Sequence, residues 1–128
     1  MNDTPFFVDK NNIGFGTIIN ANPTYIGDGT LVEVFEAGIN GSIIDRIEIQ
    51  SRGTNPACVL NFFFEKENGD KFLFFSQEVS ATTTSETVGI VPIVLEFGFK
   101  LEKNMKVLVG STAALDTGIN VMVLGGDY

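Results

Sequence analysis

Residues 57–79 read Ala57-Cys58-Val59-Leu60-Asn61-Phe62-Phe63-Phe64-Glu65-Lys66-Glu67-Asn68-Gly69-Asp70-Lys71-Phe72-Leu73-Phe74-Phe75-Ser76-Gln77-Glu78-Val79. Two runs of aromatic and branched residues flank the turn Glu67-Asn68-Gly69-Asp70, which is the pattern of an antiparallel β-hairpin. Phe62, Phe63 and Phe64, with Phe72, Leu73, Phe74 and Phe75, place large apolar groups on both faces. That suits central strands of a sandwich, or a sheet whose outer face meets another protein.

Working outward, similar short runs recur along the whole chain, each closed by Gly, Asn, Asp or Pro, while helical spacing is hard to find. Ser42 to Gln50 alternates, with Ile43, Ile47 and Ile49 on one face beside Asp45, and Ile44, Arg46, Glu48 and Gln50 on the other. Thr30 to Glu36 reads as a strand joined to it through Ala37-Gly38-Ile39-Asn40-Gly41, where Asn-Gly predicts a hairpin and an antiparallel pair. Beyond the polar loop Ser80 to Glu86, the run Thr87 to Phe97 carries Pro92 and suits an edge or a bulge. Met105 to Gly110 and Ile119 to Leu124 complete eight or nine strands. Without any βαβ rhythm, the fold class expected is all-β: an antiparallel β-sandwich of jelly-roll type, with an Ig-like arrangement as the alternative. Residues 1–14 are less regular, and Phe6-Phe7-Val8 is read either as an extra edge strand or as an arm laid on a neighbour.

The 128 residues suit a single domain spanning 1–128, with 44% hydrophobic residues and twelve Phe to build one core. A net charge of −8 repels a phosphate backbone, so nucleic acid is not an expected partner. No apolar stretch reaches the roughly 18 residues of a membrane span, and the first residues lack the pattern of a signal peptide. A soluble product made in the cytoplasm is expected.

Chemistry is sparsely provided. The chain contains no histidine, which removes the commonest general base and the Ser-His-Asp and Cys-His arrangements. One cysteine, Cys58, supplies neither a disulfide nor a zinc set, and it reads as a small buried hydrophobe. A glycosidase-like carboxylate pair, Glu33 or Glu36 with Glu48 across the predicted first hairpin, competes with ordinary solvated side chains. Asn68-Gly69-Asp70 and Asp9-Lys10-Asn11-Asn12 lack the spacing of a calcium loop, and Gly14-Phe15-Gly16 and Gly125-Gly126 are too short to cradle phosphate. No enzyme activity, no cofactor and no metal are expected.

Two segments carry a family likeness. Thr30-Leu31-Val32-Glu33-Val34-Phe35-Glu36-Ala37-Gly38-Ile39-Asn40-Gly41-Ser42-Ile43-Ile44-Asp45-Arg46-Ile47-Glu48-Ile49, followed by Arg52-Gly53-Thr54, resembles small virion structural proteins of tailed phages. So does the end, Gly118-Ile119-Asn120-Val121-Met122-Val123-Leu124-Gly125-Gly126-Asp127-Tyr128. The resemblance implies an auxiliary or decoration capsid protein on the virion surface, with the major capsid protein or other virion proteins as partners. Self-association into a homo-oligomer stays open. The alternative is a head-fibre or tail-associated adhesive module that binds host-surface glycans.

Candidate protein-contact residues are Phe62, Phe64, Phe72 and Phe74 of the Phe-rich hairpin, with Arg46, Asp127 and Tyr128. Each has a plainer reading: core packing for the Phe side chains, an outer-face cap for Arg46 beside an inward, hydrogen-bonded Asp45, and edge packing for Tyr128.

Overall fold

In the structure, a computed structural model that describes Val8 and residues 10–128, eight strands form two four-stranded antiparallel sheets. They are β1 (Lys10–Ile18), β2 (Val32–Glu36), β3 (Ser42–Ser51), β4 (Cys58–Glu65), β5 (Lys71–Val79), β6 (Ile93–Leu101), β7 (Lys106–Ser111) and β8 (Ile119–Asp127). The first sheet runs β1-β8-β3-β6 and the second β2-β7-β4-β5. The pairing is nested, first strand with last, second with seventh, third with sixth and fourth with fifth. An Ig-like sandwich is wound differently, with its first two strands side by side in one sheet. The expected sandwich is therefore present, and Phe6 and Phe7 lie outside the described residues.

The β4–β5 hairpin forms as the sequence predicts. Gly69 donates to Lys66 O at 2.9 Å and takes φ 93°, and Lys66 N donates to Asp70 O at 2.8 Å. This is a three-residue loop whose last residue must be left-handed, and glycine adopts that conformation without a Cβ clash.

The other predicted hairpin does not form. β2 and β3 lie in different sheets, so the Ala37–Gly41 connection bridges the two layers instead of reversing within one. Only Gly41 has positive φ there, 85°, whereas a two-residue hairpin of the Asn-Gly kind needs both residues left-handed.

A bulge in β3 corrects the face assignment. The register of β3 shifts between Ile44 and Arg46: against β8 Asp45 is the extra residue, whereas against β6 the extra residue lies on β6, between Glu96 and Phe99. Ile44 consequently points inward with Ile47 and Ile49, all three buried, while Ile43 turns outward and Asp45 is exposed. A second bulge at Val34 in β2 lets both Val34 and Phe35 reach the core.

The core fills the space between the sheets: Ile18, Ile44, Ile47, Ile49, Ile119, Val121 and Val123 from one side, Val34, Phe35, Leu60, Phe62, Val107 and Val109 from the other. Towards the free edges of β5 and β6 it becomes aromatic. Phe64 and Phe74 stack at 3.8 Å between ring centroids, and Phe99 meets both rings edge-on at 5.3 and 5.7 Å. Pro92 immediately precedes edge strand β6, where its missing N–H interrupts no ladder.

Strand β1 falls in the stretch that sequence patterning leaves irregular. Its regular ladder to β8 runs from Lys10↔Asp127 to Ile18↔Ile119. The signal is hidden because the inward positions are glycines: a Cβ at Gly14 would stand 2.0 Å from Val34 O, and one at Gly16 2.9 Å from Val32 Cγ1. Backbone-to-backbone approach of β1 and β2 demands Gly there. The large side chains Ile13 and Phe15 are thereby the ones left facing outward.

Candidate functional site

The predicted contact residues separate into those the fold buries and those it presents. Phe62 is 0% exposed in the core and touches no outside surface. Phe64 and Phe74 are half-buried and spend their faces on each other. Asp127 is buried and accepts hydrogen bonds from Ser42 Oγ at 2.5 Å and Asn12 Nδ2 at 2.8 Å, so its role is internal. Tyr128 is half-buried; its N–H donates to Gly41 O at 3.2 Å and Lys100 Nζ lies 5.6 Å from its ring centroid. Arg46 is exposed, with Nε 3.5 Å from Glu48 Oε1, and Phe72 is 52% exposed with Lys66 Nζ 5.6 Å from its ring centroid.

The carboxylate pair does not assemble. Glu33 and Glu36 sit on β2 in the second sheet and contact Lys106 Nζ at 3.1 and 3.7 Å, whereas Glu48 lies on β3 in the first. These carboxylates hold the Lys106 ammonium above its ordinary range, the hydrogen bond that Lys106 donates to Glu33 first among the causes. Among the described residues no group of three His, Cys, Asp or Glu is placed to hold a metal ion.

What the molecule offers instead is two outer faces of different character. On the second sheet, the β1–β2 loop, residues 19–31, folds back over β7 and β4. Asn22 N donates to Ser111 O at 2.7 Å, Asn61 Nδ2 donates to Thr24 O at 3.2 Å, and Leu31 packs on Gly110. That cover accounts for the apolar residues on both faces of β4, because Phe63 and Leu108 pack outside the main core yet are 0% and 6% exposed. The loop then brings Gly27 against Lys71: a Cβ on Gly27 would meet Lys71 Cβ at 2.7 Å. Around this contact lie Tyr25 and Ile26 from the loop and Leu73 from β5, all substantially exposed, whereas Phe72, paired with Phe64, is on the other face of β5 and is exposed at the sheet's free edge.

The outer face of the first sheet carries two cross-strand rows. One is Phe15, Met122, Glu48 and Val94; the next is Thr17, Asn120 and Gln50. Between them and Pro92 runs an open groove of about 600 Å³. Phe15 is 75% exposed at its rim. Thr17 Oγ1 donates to Asn120 Oδ1 at 2.7 Å, and Gln50 Nε2 donates to Ile90 O at 3.1 Å and Ser51 O at 3.3 Å. Sequence reading missed Phe15, Asn120 and Gln50; the usable signal was the alternation Ile13-Gly14-Phe15-Gly16-Thr17, a strand written with glycine on its inner face.

No protein-family model matches the chain, and no curated protein does. Among solved structures, a chain of the cyanophage Pam1 capsid asymmetric unit is similar at 11% identity and TM-score 0.47, covering 100% of this chain and 94% of that one. Infectious bursal disease virus, Gx strain, is similar at 11% identity and TM-score 0.35, over 92% of this chain and 33% of the viral one. The Gt strain gives 10% identity and TM-score 0.34, over 98% and 34%.

Proposed function

We propose that this domain is a non-enzymatic virion structural protein, an auxiliary or decoration protein with a jelly-roll sandwich, which docks on the outer surface of a phage head and stabilises its lattice. The observation that carries the reading is the exposed apolar group Tyr25, Ile26 and Leu73 on the outer side of the second sheet, 54, 78 and 38% exposed, with Phe72, 52% exposed, on the other face of the same edge strand. Large apolar side chains clustered on the surface of a folded domain lose free energy to water, and an interface recovers it. Leu73 and Phe72 sit on strand β5, and the loop that carries Tyr25 and Ile26 is hydrogen-bonded to β4 and β7, so little ordering entropy is spent on docking. Absence of histidine from the sequence and the resemblance of residues 30–54 and 118–128 to phage virion proteins point the same way. A lattice needs only modest contact per copy, because repetition supplies stability to the whole.

The test is co-sedimentation with undecorated heads. Wild type is expected to pellet with saturable stoichiometry, and the double substitution Ile26→Lys, Phe72→Ser to lose at least about tenfold in affinity, some 1.4 kcal/mol. Absence of binding at saturating concentration overturns the proposal.

A further inference from the structure

We propose that the groove between Phe15 and Pro92 on the outer face of the first sheet is a saccharide-binding site for a neutral or amino-bearing pyranose. This goes beyond lattice docking and uses the sheet opposite the docking patch, so a docked copy would display the groove outward.

Phe15 stands outward because Gly14 and Gly16 must face β2, but nothing in the fold demands that the outward residue be aromatic. A threonine or lysine there would cost no packing and avoid exposing an apolar ring. The polar side chains beside it are already oriented. Asn120 Oδ1 is taken by Thr17, which leaves the Asn120 amide N–H groups as donors toward the groove. Gln50 Nε2 is taken by two backbone carbonyls, which leaves Gln50 Oε1 as an acceptor. Glu48 adds a carboxylate, its Oε1 3.5 Å from Arg46 Nε.

Asn120 and Gln50 are cross-strand neighbours, with Cβ atoms roughly 5 Å apart, so a fixed donor and a fixed acceptor stand side by side. A pyranose presents an apolar C–H face and a rim of hydroxyls that both donate and accept. Its face fits Phe15 and its hydroxyls fit Asn120, Gln50 and Glu48. A purely apolar ligand would leave these polar groups unpaired, at a cost in free energy. An anionic ligand would meet Glu48 in a chain of net charge −8. The groove volume of about 600 Å³ lies within the usual range for small-ligand sites.

The experiment is a titration of the isotopically labelled full chain, followed by amide NMR shifts, with glucose, N-acetylglucosamine, glucosamine and glucuronate as probes. The expected result is that at least one of the three uncharged or cationic sugars shifts amides confined to residues 15–17, 48–50 and 120–122, with glucuronate weaker. Phe15→Ala and Asn120→Ala should each weaken binding about tenfold or more with the urea midpoint unchanged. No localised shift with any of the three at millimolar concentration overturns the proposal, as does glucuronate binding as well as they do. Ile26→Lys, Phe72→Ser should keep sugar binding while losing heads, so the two readings fail separately.

Discussion

Ser42 and Asp127, 85 residues apart, are joined by a buried hydrogen bond in which Ser42 Oγ donates to Asp127 Oδ1 at 2.5 Å. Asn12 Nδ2 donates to the same oxygen and to Glu36 O, and Gly38 N donates to Ser42 Oγ. One carboxylate thus ties β1, β3, β8 and the β2–β3 connection at one end of the sandwich. Replacing Asp127 by Ala leaves the buried Ser42 hydroxyl without its acceptor and takes one of two acceptors from the Asn12 amide. A loss of about 1–3 kcal/mol in urea unfolding is expected, whereas Glu96→Ala on the exposed face should stay within about 0.5 kcal/mol. Equal effects from the two substitutions would contradict this role.

At the opposite end Asn55, 3% exposed, does the corresponding work. Its Nδ2 donates to Gly118 O at 2.8 Å, its Oδ1 accepts from the backbone of Thr117 and Gly118, and its backbone exchanges two hydrogen bonds with Thr82. Three loops meet at one residue, its side chain holding residues 117–118 and its backbone Thr82. Asn55→Ala is expected to cost about 1–3 kcal/mol and to raise amide exchange in residues 112–118, while the backbone pair with Thr82 keeps residues 80–86 closer to wild type. Faster exchange confined to residues 52–57 would show that the loops are held independently.

How far the sequence could be read depended on where local patterns control the outcome. The β4–β5 hairpin was legible because its turn chemistry and its pairing are both local. The β2–β3 connection carries the same Asn-Gly pair, but whether the chain turns back or crosses between layers depends on pairing with β6, β7 and β8, far downstream in the chain. The bulge at Asp45 left no mark in the alternation, so Ile43 and Ile44 exchanged faces. In the candidate sites, Phe72 was readable as a surplus apolar residue. Phe15, Asn120 and Gln50 were not, because they become neighbours only through the β1–β8–β3 register.

Strand β1 makes the inverse arrangement testable. Gly14→Ala forces a methyl group to within 2.0 Å of Val34 O, a backbone atom with no rotamer to change. Overpacking of this kind costs about 1–3 kcal/mol, and here the closeness of contact places the expectation at the upper end. Phe15→Ser, one residue away and outward, should change stability by less than about 0.5 kcal/mol. Thermal unfolding of both variants decides the matter; a tolerant Gly14 would mean that β1 does not pack against β2.

Cys58 gives a probe of how the second sheet opens. It is 7% exposed on β4, and burial pushes its thiol above the ordinary value of 9.0, with a hydrogen bond involving Ser111 opposing the shift. A thiol with a raised folded value favours the neutral form. Its contribution to stability is complete below the unfolded value and is lost as pH climbs through the folded one, in the window above about 9. At pH 8 the native protein should therefore react with a thiol-specific disulfide reagent on the order of 100-fold or more slowly than the protein in denaturing urea. The native rate should also stay low until the strand pairs flanking β4 separate. Reaction of the folded protein at the unfolded rate would mean that β4 is open to solvent along Cys58 and that the sandwich does not close there.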